Sequence, residues 1–386
     1  MAPDTVADCL GALPVGAHVL DPMCGSGVVV RQAAMLGHHA RGFDIDPLAV
    51  LMSKVWTRKG KHQLICDAAS DLVIRAKRRR AFTYHDLPWI AGCKETLEFI
   101  EYWFSEPQRS CLSRLAWEIE LLQAQGYRWI SDALQLALSR IIITKQAGAS
   151  LAWDVSHSRP HRVRDQNEFD VYNGFRKSAA RLVDLLDSEP LSVGATIKQG
   201  DCRKLRGVDG GSIDAVVTSP PYLNAIDYLR GHKLALVWLG HTIPALRSTR
   251  ARTIGTERAG PHRISGEGND LENAVRSIKL LPSRQRAIVH KYAQDAALVL
   301  REMKRVLTSS GLLVLVLGDS RLRGIPVYNS RIFRYIAGQN GFVLFEERKR
   351  PLESNRRYLP IANSSGALAK RMKVEVLQAY GVASSA

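Results

Sequence analysis

Asp21-Pro22-Met23-Cys24-Gly25-Ser26-Gly27 decides how this chain folds. The apolar run His18-Val19-Leu20 leads into it, and a helical pattern from Val28 to Leu36 follows. Strand, glycine-rich turn and helix in that order open a doubly wound α/β sheet. Gly25 and Gly27 let the backbone approach a ligand closely, and the helix start supplies free N–H groups. Position 30 is Val30, so the dinucleotide spacing G-x-G-x-x-G is not completed. That counts against a nicotinamide cofactor.

Outward from this turn, Ala40-Arg41-Gly42-Phe43-Asp44 reads as a second strand with an acid at its end. Asp44 lies 17 residues after Gly27, a spacing that suits the hydroxyls of a ribose. It would also serve as a helix cap, but Asp46 directly precedes Pro47 and is the better cap. Much later, Ala195 to Asp201 reads as another strand ending in an acid, and Asp201 is placed to accept from an adenine amino group.

Thr218-Ser219-Pro220-Pro221-Tyr222 follows the buried-strand run Ile213 to Val217. Ser-Pro-Pro alone occurs in ordinary loops; its place among the other motifs gives it meaning. Ser219 Oγ and the Pro220 carbonyl are hydrogen-bond acceptors. Two prolines fix φ and remove donors, which holds that carbonyl rigidly. Tyr222 offers a flat face for a base lifted out of its stack. Such a set suits the exocyclic amine of cytosine or adenine, whose lone pair is delocalised into the ring. Accepting its amino hydrogens draws the nitrogen towards tetrahedral geometry.

Four motifs in this order resemble those of class I S-adenosylmethionine-dependent amino-methyltransferases, in particular the N4-cytosine and N6-adenine DNA methylases. The resemblance covers roughly residues 1–60 and 190–380. It implies S-adenosyl-L-methionine as cofactor, held by Asp21, Met23, Gly25, Gly27, Asp44 and Asp201. It implies catalysis by Ser219, Pro220, Pro221 and Tyr222 on a flipped base, with no metal. Met23 stands where the family usually has Phe, and Val28 where it usually has Thr, so a hydroxyl at the helix start is lost. Ser219, in a place where N6-adenine enzymes usually carry Asp, favours N4 of cytosine. The glycine-rich turn also resembles RNA amino-methyltransferases, which keeps an RNA base as an alternative. A binder that kept the fold and lost activity is a further alternative, against which the intact motifs argue. A small-molecule methyltransferase would leave the charge unexplained.

That charge is +17, from 54 Lys and Arg against 37 acids among 386 residues. Such an excess favours a polyanion, here nucleic acid, DNA before RNA. No run is long and apolar enough to span a bilayer, so no membrane partner is expected. Asp4 and Asp8 stand where a secretion signal would be basic. Cys9, Cys24, Cys66, Cys93, Cys111 and Cys202 form no C-x-x-C pair. Reduced thiols in a cytoplasmic protein are the simplest reading. Oligomeric state is not readable.

The resemblance implies a Rossmann-like, mostly parallel seven-stranded sheet. Its antiparallel last strand forms a hairpin with the sixth and slots beside the fifth. The strands expected are Val19–Leu20, Arg41–Asp44, Thr196–Gln199, Ala215–Thr218, Leu313–Leu317, Phe342–Arg348 and Lys373–Leu377. Residues 1–66 and 191–386 should form the methyltransferase domain, interrupted by a mainly helical insertion at 67–190, a target-recognition element or a cap. Helices are expected at Lys94–Phe104, Gln108–Gln125, Trp129–Ile143, Asn167–Leu186 and Asn224–Leu239. The basic run Arg75–Arg80 reads as solvated or as a phosphate contact. Candidate substrate contacts are His157 and Arg159 in a polar loop, Tyr228 near the base pocket, and Arg250 and Arg252. The last two fall in a Gly-, Ser- and Arg-rich stretch, about 240–270, that reads as a mobile basic loop.

Overall fold

The computed structural model describes residues 3–144, 148–153, 161–223, 228–255, 267–351 and 374–383. These fall into two compact units: Met1–Ile45, Ser192–Ile226 and Ala251–Ala386 in the first, Asp46–Leu191 and Asp227–Arg250 in the second.

The first unit is built on seven strands: β1 (His18–Asp21), β2 (His39–Asp44), β3 (Thr196–Gln199), β4 (Ile213–Thr218), β5 (Leu307–Gly318), β6 (Phe342–Pro351) and β7 (Val374–Val382). They lie side by side in the order β6-β7-β5-β4-β1-β2-β3. β1 to β5 pair in parallel, and β7 runs antiparallel to both β5 and β6. This is the Rossmann-like sheet expected, with the last strand slotted between the fifth and sixth. Central parallel strands are covered on both faces and need near-continuous apolar runs. Ala215 to Val217 and Leu313 to Leu317 are accordingly buried. Val289, Tyr292, Ala296, Leu300 and Met303 of the helix Ser283–Val306 pack on that core, with Phe333 and Ile336 of the helix Asn329–Gln339.

The second unit is helical. Its core joins Leu51 of Pro47–Trp56, Leu72 of Gln63–Arg78, Leu112 of Glu106–Ala124, Leu134 of Arg128–Ser139, Phe175 of Val171–Asp187 and Trp238. It begins at Asp46 rather than 67 because Leu48, Leu51 and Val55 join this core. Asp46 is the expected cap: its side chain accepts from Leu48 N at 2.9 Å, with Pro47 in the first turn.

Three local expectations are corrected. The helix expected from Asn167 starts at Val171, with Asp170 as its cap. Asn167 is spent elsewhere: its Nδ2 donates to the carbonyls of Gly148 (2.7 Å) and Ser150 (3.0 Å). The basic run Arg75–Arg80 ends the helix Gln63–Arg78. Arg75 and Arg79 both pair with the buried Glu118, so these two are structural contacts, while Lys77, Arg78 and Arg80 are exposed as the solvated reading expects. Finally, residues 243–252, expected as irregular loop, form the helix Ile243–Arg252. Ile243, Leu246 and Thr249 are buried at helical spacing, and Arg247 pairs with Glu95. A second helix spans Glu267–Ala274, and residues 256–266 lie outside those described. Among the described residues no helix is long and apolar enough to cross a membrane.

Candidate active site

The sheet reverses its winding between β1 and β4. From β1 the chain builds outwards through β2 and β3, then returns to lay β4 on the other side of β1. Open α/β sheets bind ligands at such a switch, beyond the C-terminal strand ends. Asp21 ends β1, Asp44 ends β2, Asp201 follows β3, and Ser219 follows β4. Thr218 Oγ1 donates to Asp21 Oδ1 at 2.7 Å and ties the two sides of the switch together.

The turn after β1 is shaped by its glycines. Gly25 and Gly27 have φ of +50° and +89°, the left-handed region that other residues rarely adopt. Cys24 N donates to the Phe43 carbonyl (2.8 Å) and Gly25 N to Asp44 Oδ2 (2.9 Å). The turn thus grips the end of β2 and orients the Asp44 carboxylate. Gly27 caps the helix Val28–Met35, which has no side-chain cap and no acid in its first turn. Gly42 lets β2 pass close beneath: a Cβ there would lie 2.8 Å from Ile197 Cδ1 and 3.2 Å from Cys24 Cβ. Met23 packs, partly buried, on the sheet core.

Asp21 is 3% exposed. Burial pushes its carboxyl up to about 7, against the opposing bonds from Thr218 and Met23 N; the charge of Asp44 adds to the rise. The folded protein therefore keeps this proton up to about pH 7, whereas the unfolded chain releases it near 3.8. Stability should fall through this group as pH rises between those values. Asp21→Asn should flatten that slope in denaturant melts taken across the same pH range. An unchanged slope would rule out Asp21 as the titrating group.

Asp201 is engaged. Its Oδ1 accepts from Arg203 N (3.0 Å) and Nε (2.9 Å), and its Oδ2 from Arg203 Nη2 (2.7 Å). Burial alone would raise its pKa, but the bonds and charge of Arg203 together hold it below the ordinary value. Arg203 Nη1 reaches Asp295 Oδ1 at 2.7 Å, and Nη2 also donates to the Arg252 carbonyl at 2.8 Å. Three of roughly four acceptor sites on Asp201 are filled, which leaves one.

Ser219 donates its hydroxyl proton to the Val316 carbonyl at 3.0 Å. Its Oγ lies 3.3 Å from the Tyr222 hydroxyl. With its only proton on Val316, Ser219 can meet Tyr222 and any further partner solely as an acceptor. Pro220 is buried. The Pro221 carbonyl accepts from Tyr292 Oη at 2.9 Å.

The structure thus brings Asp21, Met23, Gly25, Gly27, Asp44, Asp201 and Ser219 to Tyr222 together in the first unit, at the strand ends. Tyr228 and Arg250 belong to the second unit; Tyr228 is half exposed, its ring 6.1 Å from that of His232. Arg252 is exposed in side chain. His157 and Arg159 lie outside the described residues. Sequence reasoning missed Thr218, Arg203 and Tyr292. Thr218, directly before Ser219, and Arg203, two places after Asp201, carried a local signal; Tyr292 carried none. Among the described residues no group of three or more His, Cys, Asp or Glu could hold a metal.

No family model matches the chain. The chain is similar to type II methyltransferase M.BsoBI of Geobacillus stearothermophilus, 24% identical over 62% of this chain and 50% of that one. It is also similar to type II methyltransferase M.AvaI of a Nostoc species, 23% identical over 84% of this chain and 73% of that one. The chain thus spans about half the length of M.BsoBI. In structure it resembles a SAM-dependent methyltransferase from Methanosarcina mazei at 8% identity, 98% coverage of each chain and a TM-score of 0.37, a likeness too loose to bear on function.

Proposed function

We propose that this protein transfers a methyl group from S-adenosyl-L-methionine to an exocyclic amino group of a base in DNA, N4 of cytosine by preference. The observation that carries this reading is Ser219, whose proton is spent on Val316 and whose oxygen is left as an acceptor. It sits at the sheet's switch point, among the strand ends that also carry the glycine turn, Asp44 and Asp201. The similarity to type II methyltransferases supports the same reading.

The residues present fit the cofactor. Left-handed Gly25 and Gly27 open the turn for close approach, and Asp44, held through Oδ2 by Gly25 N, would accept from ribose hydroxyls. Asp201 would accept from the adenine amino group with its one remaining site. Bound there, the cofactor supplies an electrophilic methyl group on a sulfonium. Ser219 Oγ and the Pro220 carbonyl would accept hydrogen bonds from the amino group of the target, which gives up one proton to water as it gains the methyl group. No hydrogen bond engages that carbonyl among the described residues. Tyr222 would stack on the flipped base, with the stack worth about 1–3 kcal/mol. The protein's part is mainly orientation of two reactants. Excess positive charge would hold the DNA backbone, with Arg250, Arg252, His157 and Arg159 as candidate contacts; Tyr228 is a candidate contact to the base. N6-adenine in DNA or an amine in RNA would use the same acceptors.

Asp44→Ala should weaken cofactor binding about ten- to a hundredfold, the value of a hydrogen bond to a charged group. Calorimetry on the folded variant checks this; unchanged affinity would move the ribose elsewhere. The function itself is tested by incubating the protein with methyl-labelled cofactor and either DNA or RNA. Label in DNA is the expected result, and label in neither polymer would reject the reading.

A further inference from the structure

We propose that Tyr292 is a positioning residue that aims Tyr222 at the base, a role that rests on the methyl transfer proposed above. Tyr292 lies on the helix Ser283–Val306 with no exposed surface, its ring edge-on to Phe333. A buried hydroxyl is costly unless it is bonded, so a phenylalanine would serve this core better if packing were all that mattered. The hydroxyl has its partner in the catalytic tetrapeptide itself, the Pro221 carbonyl at 2.9 Å.

Two other elements meet the residues that follow. Gly255, at φ +80°, passes so close that a Cβ there would lie 3.1 Å from the Tyr222 carbonyl oxygen. Ser320 Oγ donates to the Leu223 carbonyl at 2.6 Å. Ser320 is itself fixed: Asn329 Nδ2 donates to its Oγ (2.9 Å) and to the Gly318 carbonyl (2.7 Å). Asp319 Oδ1 then accepts from Ser330 N (3.1 Å) and Oγ (3.0 Å), which ties this loop to the helix Asn329–Gln339.

The carbonyls of Pro221 and Leu223, on either side of Tyr222, are therefore each held by a hydrogen bond from a different part of the first unit. The Pro221 and Tyr222 carbonyls belong to the rigid peptide planes that flank the Tyr222 Cα. Anchoring the first plane and the Leu223 carbonyl, with Gly255 crowding the second, restricts φ and ψ of Tyr222 and with them the direction of its Cα–Cβ bond. A ring that must receive a flipped base needs that direction settled before the base arrives.

Tyr292→Phe removes the donor and keeps the shape. The test labels the protein with 3-fluorotyrosine and follows the Tyr222 resonance, assigned by its loss in Tyr222→Phe. It adds kcat and KM for methyl transfer to bulk genomic DNA, and cofactor affinity by calorimetry. We expect a shifted or broadened Tyr222 resonance and kcat lowered about tenfold, the value of one hydrogen bond, with cofactor affinity and DNA KM unchanged. Ser320→Ala should move the same resonance in the same direction, and it decides the matter should Tyr292→Phe fold poorly. A Tyr222 resonance and kcat that match the parent in the folded variant would overturn the proposal. So would a parallel loss of cofactor affinity and thermal stability, which marks a general packing role. Absence of methyl transfer by the parent protein would defeat the proposed function alone; the Tyr222 resonance would still decide what Tyr292 holds.

Discussion

Ser219→Ala is expected to lower kcat for methyl transfer about 100- to 1,000-fold, the usual cost of deleting one preorganised hydrogen-bonding group at a reacting centre. Alanine removes the acceptor and leaves the Val316 carbonyl without its donor, while the two prolines still hold the loop. Cofactor affinity should stay at the parent value, because the proposed function assigns Ser219 to the base, and Asp44 and Asp201 to the cofactor. Single-turnover rates at saturating cofactor and DNA read the loss directly. A variant within about threefold of the parent, less than 1 kcal/mol, would remove Ser219 from the chemistry.

The second large effect concerns stability. Arg203→Met keeps an apolar stem and strands Asp201, while Asp295 retains Lys291 Nζ at 3.1 Å. Removing one partner of a buried ion pair costs about 3 kcal/mol at the low end of its range, and Asp201 keeps some contact with water. That is a large part of the total for a domain. The pH dependence identifies the cause. With Arg203 present, the Asp201 pKa lies below its unfolded value. Its contribution is complete above that unfolded value and is lost as pH falls through the folded one. Without the guanidinium the desolvation is opposed only by the backbone N–H of residue 203 and the charge of Lys204, so the pKa rises and the ionised acid loses stabilisation at neutral pH. The stability gap between parent and variant should therefore be widest at pH 7 and narrow towards pH 4, as read by denaturant melts. An equal gap at both pH values would mean lost packing and not a stranded charge.

These residues also show what a sequence can carry. The glycine turn was legible because left-handed φ and helix starts are written locally, in Gly25, Gly27 and the run that follows them. Ser219 to Tyr222 was legible for the same reason, since prolines fix their own backbone. The strand order could be expected only through the family resemblance, because no local signal places β7 between β5 and β6. Tyr292 was out of reach: its hydroxyl meets Pro221 across 71 positions, and within its helix it reads as one more core aromatic. Arg203 joins Asp295 across 92 positions. The helix Gln63–Arg78 was within reach, with Ile65, Ala69, Leu72, Val73 and Ala76 buried on one stripe, but the basic run at its end drew the reading towards a solvated segment or a phosphate contact. Ile243–Arg252 was hidden in the same way. Two apolar anchors in a polar, arginine-rich stretch are a weak signal until a core receives them.

Mass spectrometry of nucleosides tests the central claim most directly. DNA treated with the protein and methyl-labelled S-adenosyl-L-methionine would be digested and its modified nucleosides identified. The expected product carries the label on the exocyclic amine, as N4-methyldeoxycytidine, in the parent digest and not in that of Ser219→Ala. Label on a ring carbon, or equal label with and without Ser219, would contradict an amine-directing role for the tetrapeptide.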